Sequence, residues 1–387
     1  MVVATGRQPR ALGAAGATRV GPVWPESWSE AWASVLPPFV VSRALLLAVT
    51  LIVAAAGHHV PLQVWDQWDS KWYLGVAEHG YHWSLDGKPA VAFFPLYPLL
   101  VRMGLSVGLP GLSFALLLSN VAFGASLFYL YAIFRHSSGP DRAGRALWLM
   151  ALFPTAFFTF APYTEGLFQL GAAATLFYTQ RRQALPTGLW LAVSVMTHST
   201  GIILIPPIIL AYRHDLRRCL GTLLPTAASL LIFSLYLGQI HIPLPAVPLA
   251  QRDWHRALTF PWTGFTASIQ WLAQQGAAHP WWSLENLIQA GVTLIFLVVT
   301  ILAWRELDPL AGAYCAAFWL ITLTSPEWLN GYYAPFSSMD RLVLALFPLS
   351  GWVVDRLPLP HYRGLVAGFA LLMMGTTAVH LSGGWVG

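Results

Sequence analysis

The sequence predicts an all-α, polytopic membrane protein: a transmembrane helical bundle of about eleven spans. Hydrophobic residues make up 56% of the 387-residue chain, and charged residues make up only 10%, against about 25% in typical soluble domains. Apolar stretches of roughly 18 residues or more recur along most of the chain, and each is long enough to cross a bilayer. This composition excludes a soluble enzyme and a disordered protein. The basic residues are scattered, which also argues against binding to nucleic acid.

Two regions follow from the distribution of apolar residues. Residues 1–37 contain three arginines but no apolar run typical of a signal peptide. We therefore expect a mobile cytoplasmic N-terminal arm over 1–37 and one multi-span membrane domain over 38–387. The predicted spans cover residues 38–57, 112–134, 146–162, 163–180, 184–198, 200–212, 219–239, 284–304, 310–324, 340–356 and 364–382.

The arginine-bearing loops predict the orientation of these spans. Residues 92–109 are interrupted by two prolines and by Arg102, so this segment is predicted to lie at the outer interface. Most arginine-bearing loops then face the cytoplasm, as the positive-inside tendency requires. The long loops 58–91 and 240–283 and the shorter loop 325–339 lie on the outer side. They are rich in aromatic residues and histidine, and we expect them to fold onto the membrane surface.

The first outer loop carries the densest group of polar and aromatic residues. The segment Val64–Tyr81 reads VWDQWDSKWYLGVAEHGY and is predicted to be an interfacial helix. The i, i+3, i+7 spacing places three tryptophans on one face and three polar residues on the next: Trp65, Trp68, Trp72 and Asp66, Asp69, Tyr73. A carboxylate base at the water–lipid boundary suits a transfer reaction on a lipid-linked substrate. An aromatic belt with solvated acids explains the same spacing.

Two further segments carry candidate residues near the predicted outer surface. Arg102 follows the aromatic run Ala92–Pro98 and could bind a phosphate. Alternatively, the segment is an interfacial helix broken by prolines, and the Arg102 side chain extends along it so that its charge stays in water. Glu165, preceded by Tyr163, lies at the outer end of a predicted span. An ionisable group there suggests function, although a glutamate in the first turn of a helix is also favoured by the helix dipole.

Later candidates lie in the turns and loops of the outer side. His198 precedes a predicted helix whose N-terminal amides could help it bind phosphate, although it could equally be structural. Gln251, Trp254 and Arg256 lie in the second long loop and suit a sugar or diphosphate, since arginine binds phosphate in a bidentate manner. Arg341 opens a later span beside Asp340 and could be its ion-pair partner.

The sequence lacks the motifs of several common enzyme classes. It contains no Walker loop, no GxGxxG after a strand, no HExxH and no cysteine–histidine cluster with zinc spacing. Phosphoryl transfer from soluble ATP and zinc proteolysis are therefore unsupported. We predict no cofactor; a divalent metal could bind through Asp66 or Glu165, although nothing requires one. A donor carried by a lipid and entering from the bilayer is the simplest alternative to a soluble nucleotide.

Three segments resemble the PIG-V-like mannosyltransferases in order and spacing: Trp68–Tyr81, Ala92–Arg102 and Ala161–Phe168. Three later segments, THSTG, AQRDWHR and SMDRLVLALFP, are similar more loosely. The resemblance extends over about residues 38–356. This family includes the second GPI mannosyltransferase and its bacterial relatives, and it belongs to the multi-span GT-C glycosyltransferases.

The resemblance implies a GT-C-like fold and an activity on the non-cytoplasmic face, in a bacterial plasma membrane or in the endoplasmic reticulum of a eukaryote. A hexose, expected to be mannose, would pass with inversion from a polyprenyl- or dolichyl-phosphate sugar to a glycan or glycolipid. Asp69 would be the catalytic base and Asp66 would tune it or orient the acceptor. Tyr73, Tyr163, Glu165, Gln251 and Trp254 would bind substrate, and four residues are candidates for the donor phosphate: Arg341, Arg256, Arg102 and His198. A lipid or solute transporter, or a GT-C transferase of another sugar, stays open as an alternative.

Overall fold

The computed structural model describes residues 27–82, 88–329, 332–333 and 335–386. Over these residues the chain is predominantly helical, with one antiparallel pair of two-residue strands, β1 (Trp328–Leu329) and β2 (Tyr332–Tyr333). The α-helices are α1 (Trp28–Gly57), α2 (Asp69–His79), α3 (Leu96–Ser106), α4 (Gly111–Ser138), α5 (Pro140–Ala151), α6 (Glu165–Gln180), α7 (Ala184–Thr197), α8 (Ile205–Tyr212), α9 (Leu216–Gln239), α10 (Ala246–Asp253), α11 (Thr263–Gln275), α12 (Pro280–Ala303), α13 (Pro309–Thr324), α14 (Met339–Leu342), α15 (Pro348–Arg356) and α16 (Leu359–Leu381).

Five helices in the described ranges are long and apolar enough to cross a membrane: α1, α4, α9, α12 and α16. The predicted all-α, membrane-integral fold is therefore confirmed. Three shorter apolar segments accompany them, namely α7, the 199–212 segment containing α8, and α13. A helix of 16 residues, such as α13, is only about 24 Å long, so the predicted number of about eleven spans stays a prediction.

Helix α1 begins ten residues before the predicted start of the first span. Ser27 caps it, because the Ser27 hydroxyl accepts a hydrogen bond from the Glu30 N–H at 3.2 Å. The helix continues through Pro37 and Pro38. A helix can begin before it enters the membrane, so the predicted start of the span at residue 38 stays a prediction. Residues 1–26 of the predicted arm lie outside the described residues.

The predicted interfacial helix over 64–81 is broken. A 3₁₀ turn covers Gln63–Trp65 and α2 starts only at Asp69, because Trp68 has a left-handed φ of 51°. Asp66 thus lies before the helix and does not share a helical face with Asp69. The prediction that these two carboxylates lie side by side on one face was wrong.

The predicted spans 146–162 and 340–356 are also interrupted. One interruption lies near Glu165 and the other near Arg341. After α5, the chain forms a 3₁₀ turn over Ala156–Thr159 and reaches α6 at Glu165. After α14, a 3₁₀ turn over Val343–Ala345 precedes α15, which starts at Pro348. These breaks place irregular backbone, rather than continuous helix, before α6 and after α14.

Helices α4, α6, α7 and α9 form a continuous layer, each packing extensively against the next. Gly166 allows α6 to approach α4 closely: a Cβ added there would lie 2.4 Å from the Ser119 carbonyl oxygen. At the other end of α4, Arg135 pairs with Glu30 near the start of α1, with its Nε 3.1 Å from Oε1. The start of α6 is therefore fixed at the end of the layer opposite to this ion pair.

Candidate active site

Arg341 joins two carboxylates that come from distant parts of the chain. Its Nη1 donates a hydrogen bond to Asp69 Oδ2 at 2.6 Å, and its Nε donates to Glu165 Oε1. Asp69 is the first residue of α2, Glu165 is the first residue of α6, and Arg341 lies in α14. We call these three residues the triad. The sequence predicts each of them separately as a site residue, and the structure brings them together.

The members of the triad differ in how accessible they are. The exposed fraction of the side chain is 6% for Arg341, 12% for Glu165 and 21% for Asp69. Charges that are removed from water must be paired and hydrogen-bonded, and Arg341 supplies that pairing for both acids. Asp69 is therefore the carboxylate that a molecule outside the triad reaches most easily.

Local backbone geometry fixes the position of two triad residues. Trp68, with φ 51°, directly precedes Asp69, and Ser338, with φ 65°, precedes the helix that carries Arg341. A positive φ in a residue other than glycine costs on the order of 1–3 kcal/mol and tends to occur at functional sites. The Asp69 N–H also donates to the Tyr163 hydroxyl at 3.2 Å. That hydroxyl in turn donates to the Gln67 carbonyl at 3.3 Å.

Aromatic rings form one wall of the triad. The Arg341 guanidinium carbon lies 5.0 Å from the ring centroids of both Phe158 and Tyr163, close enough for a cation–π interaction. The Tyr73 hydroxyl is hydrogen-bonded to Thr164 Oγ1 at 3.1 Å. Burial raises the pKa of Tyr73 above its usual value, so this phenol stays protonated at neutral pH. Tyr73 can therefore hold a neighbour in place but cannot serve as the base.

A second ion pair joins the loop 240–283 to the loop 325–339. Arg256 Nη2 lies 2.9 Å from Glu327 Oε2, and their side chains are 33% and 12% exposed. A small cavity is lined by both residues and by Thr200. The sequence predicts Arg256 as a site residue but not Glu327 as its partner. Arg256 is therefore a partly exposed cation whose ion-pair partner, Glu327, lies outside the triad.

Trp254 connects the second long loop to the first. Its indole N–H donates to the Pro89 carbonyl at 3.1 Å, and its ring packs against Trp72 and Phe93 at centroid distances of 5.5 and 5.6 Å. The Lys88 ammonium lies 4.4 Å from the centre of the same ring. The ring of Trp254, a predicted residue of a sugar or diphosphate site, is thus in contact with protein groups on several sides.

Three predicted residues have their polar contacts elsewhere. Asp66 Oδ1 accepts a hydrogen bond from the Ser70 hydroxyl at 3.2 Å. Arg102 is exposed and donates to the Ala77 carbonyl at 3.2 Å. Gln251 accepts through its backbone carbonyl from the Arg256 N–H at 2.9 Å. Within the described ranges, no hydrogen bond or ion pair joins any of the three to the triad.

His198 lies in the turn between α7 and the 3₁₀ turn Ser199–Leu204, outside both helices. Its Nδ1 accepts a hydrogen bond from the Thr200 N–H at 3.2 Å. Burial lowers the pKa of His198 to about 3, and the positive charges of Arg341 and Arg256 act in the same direction. The imidazole is therefore neutral at physiological pH and lacks the positive charge that a strong phosphate ligand needs.

One further buried residue near the triad was not predicted. Gln169 follows Glu165 by four positions on α6 and is only 4% exposed. The i, i+4 spacing on a helix was the available signal. In the described part of the chain, no group of three or more histidine, cysteine, aspartate or glutamate residues is arranged to hold a metal ion. The positive charge between Asp69 and Glu165 is the Arg341 guanidinium.

Comparison with known families gives one match that covers more than half of the chain. The sequence model of the family described as mannosyltransferase (PIG-V) matches residues 36–250. This range includes Asp69, Glu165, Gln169 and His198. Arg256, Glu327 and Arg341 follow it in the sequence.

Curated relatives match a shorter part of the chain. GPI alpha-1,6-mannosyltransferase 2 of Homo sapiens is 30% identical over 146 residues, which are 35% of this chain and 28% of that protein. The protein of the same name from Rattus norvegicus is 32% identical over 148 residues, covering 35% of this chain and 29% of that protein. The match thus covers less than a third of the length of these relatives.

Among solved structures, similarity is found to the crystal structure of ArnT from Cupriavidus metallidurans bound to undecaprenyl phosphate. The TM-score is 0.49 and the sequence identity is 14%, over 89% of this chain and 74% of that chain.

Proposed function

The chain belongs to the mannosyltransferase (PIG-V) family, and from that premise we propose that it is an integral-membrane glycosyltransferase. It transfers a hexose, which we expect to be mannose, from a polyprenyl- or dolichyl-phosphate sugar to a hydroxyl of a glycan or glycolipid acceptor. The observation that carries this proposal is the triad. Asp69, a partly exposed carboxylate, is held in a fixed position by a buried arginine.

Asp69 is the proposed general base of an inverting reaction. The acceptor oxygen forms a bond to the anomeric carbon from the face opposite to the phosphate. The bond between that carbon and the phosphate oxygen breaks, and its electron pair leaves with the lipid phosphate. The acceptor proton passes to Asp69. Since the phosphate is already a good leaving group, no general acid is needed, unlike in glycoside hydrolysis. A positioned base of this kind contributes about 10²–10⁴-fold to the rate.

Arg341 is proposed to position Asp69 rather than to bind the donor phosphate. Two of its nitrogen donors are already engaged by carboxylates, and the triad carries a net negative charge when both acids are ionised. A phosphate would be repelled from such a group. Arg256 pairs with a single carboxylate and is more exposed, so we propose it as the main ligand of the donor phosphate.

The outer side of the membrane is the proposed location of the triad. Labelling of single introduced cysteines with a membrane-impermeant reagent tests this location. Both native cysteines, Cys219 and Cys315, are buried, so they give little background and can be replaced if needed. We expect a cysteine at position 260 to react from outside and one at position 140 to react only after permeabilisation. The reverse pattern would contradict the proposed orientation.

A transfer assay on the purified protein tests the proposed reaction. The donors are polyprenyl phosphates that carry mannose, glucose or arabinose, and release of polyprenyl phosphate is measured with a glycan or glycolipid acceptor. We expect transfer from the mannosyl donor with inversion at the anomeric carbon. Transfer from another donor alone would change the sugar. Binding of a donor without any transfer, across a full set of acceptors, would favour a lipid transporter.

A further inference from the structure

A narrow cavity adjoins the triad and is not used by the reaction described above. It lies between α6, α14 and the turn that follows α7. Its polar lining comes from Glu165, Gln169, His198, Thr200 and Arg341. Phe168, Phe318 and Phe347 contribute aromatic walls. A mostly apolar cavity with a few converging polar groups is the usual form of a small-molecule site.

Two polar atoms among these lining residues have no partner. Glu165 Oε2 and Gln169 Nε2 are both buried, and neither has a hydrogen bond to any residue that the structure describes. Leaving a buried donor or acceptor unsatisfied is destabilising, and more so for a charged group. Two such atoms that belong to residues lining the same cavity, one helical turn apart, indicate that a polar molecule binds there.

The charges around the cavity select the kind of molecule. The free oxygen of Glu165 accepts a hydrogen bond and repels anions, and His198 is uncharged at neutral pH. A phosphate is therefore disfavoured in this cavity. Gln169 Nε2 is a donor only. An acceptor atom and a donor atom on residues one helical turn apart match two neighbouring hydroxyl groups, one of which donates while the other accepts.

We propose that Gln169 and Glu165 bind adjacent hydroxyl groups of the transferred hexose. The aromatic walls pack against the C–H face of the ring, and Arg341 connects this subsite to Asp69. This inference rests on the proposed function, because it assigns the sugar of the same lipid-linked donor to a particular cavity. An ordered water molecule is the competing occupant.

Measurements of donor binding distinguish the contribution of the sugar from that of the lipid and the phosphate. The dissociation constants of polyprenyl phosphate and of polyprenyl-phosphate-mannose are measured with the full-length protein in nanodiscs. We expect the wild-type protein to bind the mannosyl lipid about tenfold more tightly, since the bare lipid phosphate leaves these two buried groups unsatisfied. In Gln169→Met the two affinities become equal, while binding of the bare polyprenyl phosphate is unchanged. Gln180→Met, at the last residue of α6, is the matched control and keeps the wild-type ratio.

Each outcome supports or overturns the subsite. Retention of the wild-type ratio in Gln169→Met means that only water occupies the cavity, which overturns the inference while the proposed function stands. Equal affinities in the wild-type protein overturn it as well. If the wild-type protein binds neither lipid, the proposed function itself fails. Should Gln169→Met not fold, Gln169→Asn, which draws the amide back by one methylene, is expected to reduce the ratio in the same way.

Discussion

Arg341 Nη1 lies 2.6 Å from Asp69 Oδ2, although the two residues are 272 positions apart in the sequence. The same guanidinium binds Glu165 through Nε, so one side chain fixes the starts of α2 and α6 relative to each other. Because the pair is largely withdrawn from water, removal of one partner leaves a charge without compensation. The geometry of the proposed base therefore depends on an arginine contributed by a late segment of the chain.

Arg341→Met is expected to lower stability by about 3–5 kcal/mol, the range for loss of one partner of a buried ion pair, and to abolish transfer. The double variant Arg341→Met with Glu165→Gln removes the uncompensated buried charge, and we expect it to regain most of the lost stability but no activity. Thermal unfolding in detergent and the transfer assay measure the two effects. A double variant with wild-type turnover would show that Arg341 has only a structural role.

Tyr163→Phe is expected to reduce kcat roughly tenfold, because the phenol oxygen holds the Asp69 N–H and the Gln67 carbonyl, and one such hydrogen bond is worth about 1 kcal/mol. Tyr73→Phe removes a hydroxyl that contacts Thr164 instead and serves as the control. We expect the control to retain at least half of the wild-type kcat. Equal losses in both variants would contradict a specific role of Tyr163 in positioning Asp69.

Arg256→Ala is expected to raise the KM for the lipid-phosphate donor by about tenfold or more, because a charged hydrogen bond contributes roughly 1.5–3 kcal/mol, with little change in kcat. Arg102→Ala is the control, since Arg102 is exposed and contacts the Ala77 carbonyl. The initial rates are measured over a range of donor concentrations. A larger effect of Arg102→Ala on KM would transfer the phosphate-binding role to that residue.

Gly166→Ala is expected to destabilise the protein by about 1–3 kcal/mol, the usual cost of overpacking, and to reduce activity. The added Cβ would lie 2.4 Å from the Ser119 carbonyl oxygen, so α6 and its first residue, Glu165, must move away from α4. Gly221→Ala in α9 has no atom within 4 Å of the new Cβ and is expected to leave stability equal or slightly increased. Thermal unfolding of both variants decides the comparison. Equal melting temperatures for Gly166→Ala and wild type would rule out this tight contact.

The sequence predicted the class of fold and the family because both depend on local patterns. Long apolar runs indicate spans wherever they occur, and the blocks around Asp69 and Glu165 are contiguous in the chain. The break at Trp68 was not predicted, since a helical spacing rule cannot detect a left-handed φ in a tryptophan. Asp66 was therefore placed wrongly beside Asp69.

The pairing of residues within the site needed the structure. Arg341 is 176 positions from Glu165, and nothing in the local pattern of either segment relates them. The sequence offered Asp340 as one alternative partner of Arg341. Asp340 Oδ1 does accept a hydrogen bond at 2.8 Å, but from the backbone N–H of Arg341. Gln169 lies one helical turn from Glu165 and could have been noted, whereas its burial and its unpaired amide follow only from the packing of α6.

The most direct test of the account is the turnover of Asp69→Asn in the transfer assay. Asparagine keeps the shape of the side chain and its hydrogen bond to Arg341 but cannot accept the acceptor's proton at neutral pH. Asp66→Asn is the control, because Asp66 bonds only to Ser70 among the described side chains. We predict that Asp69→Asn loses about 10²–10⁴-fold in kcat with near-normal donor binding, while Asp66→Asn stays within a few-fold of wild type. Turnover of Asp69→Asn above roughly a tenth of the wild-type value, well beyond what loss of such a base allows, would contradict the assignment of Asp69 as the base.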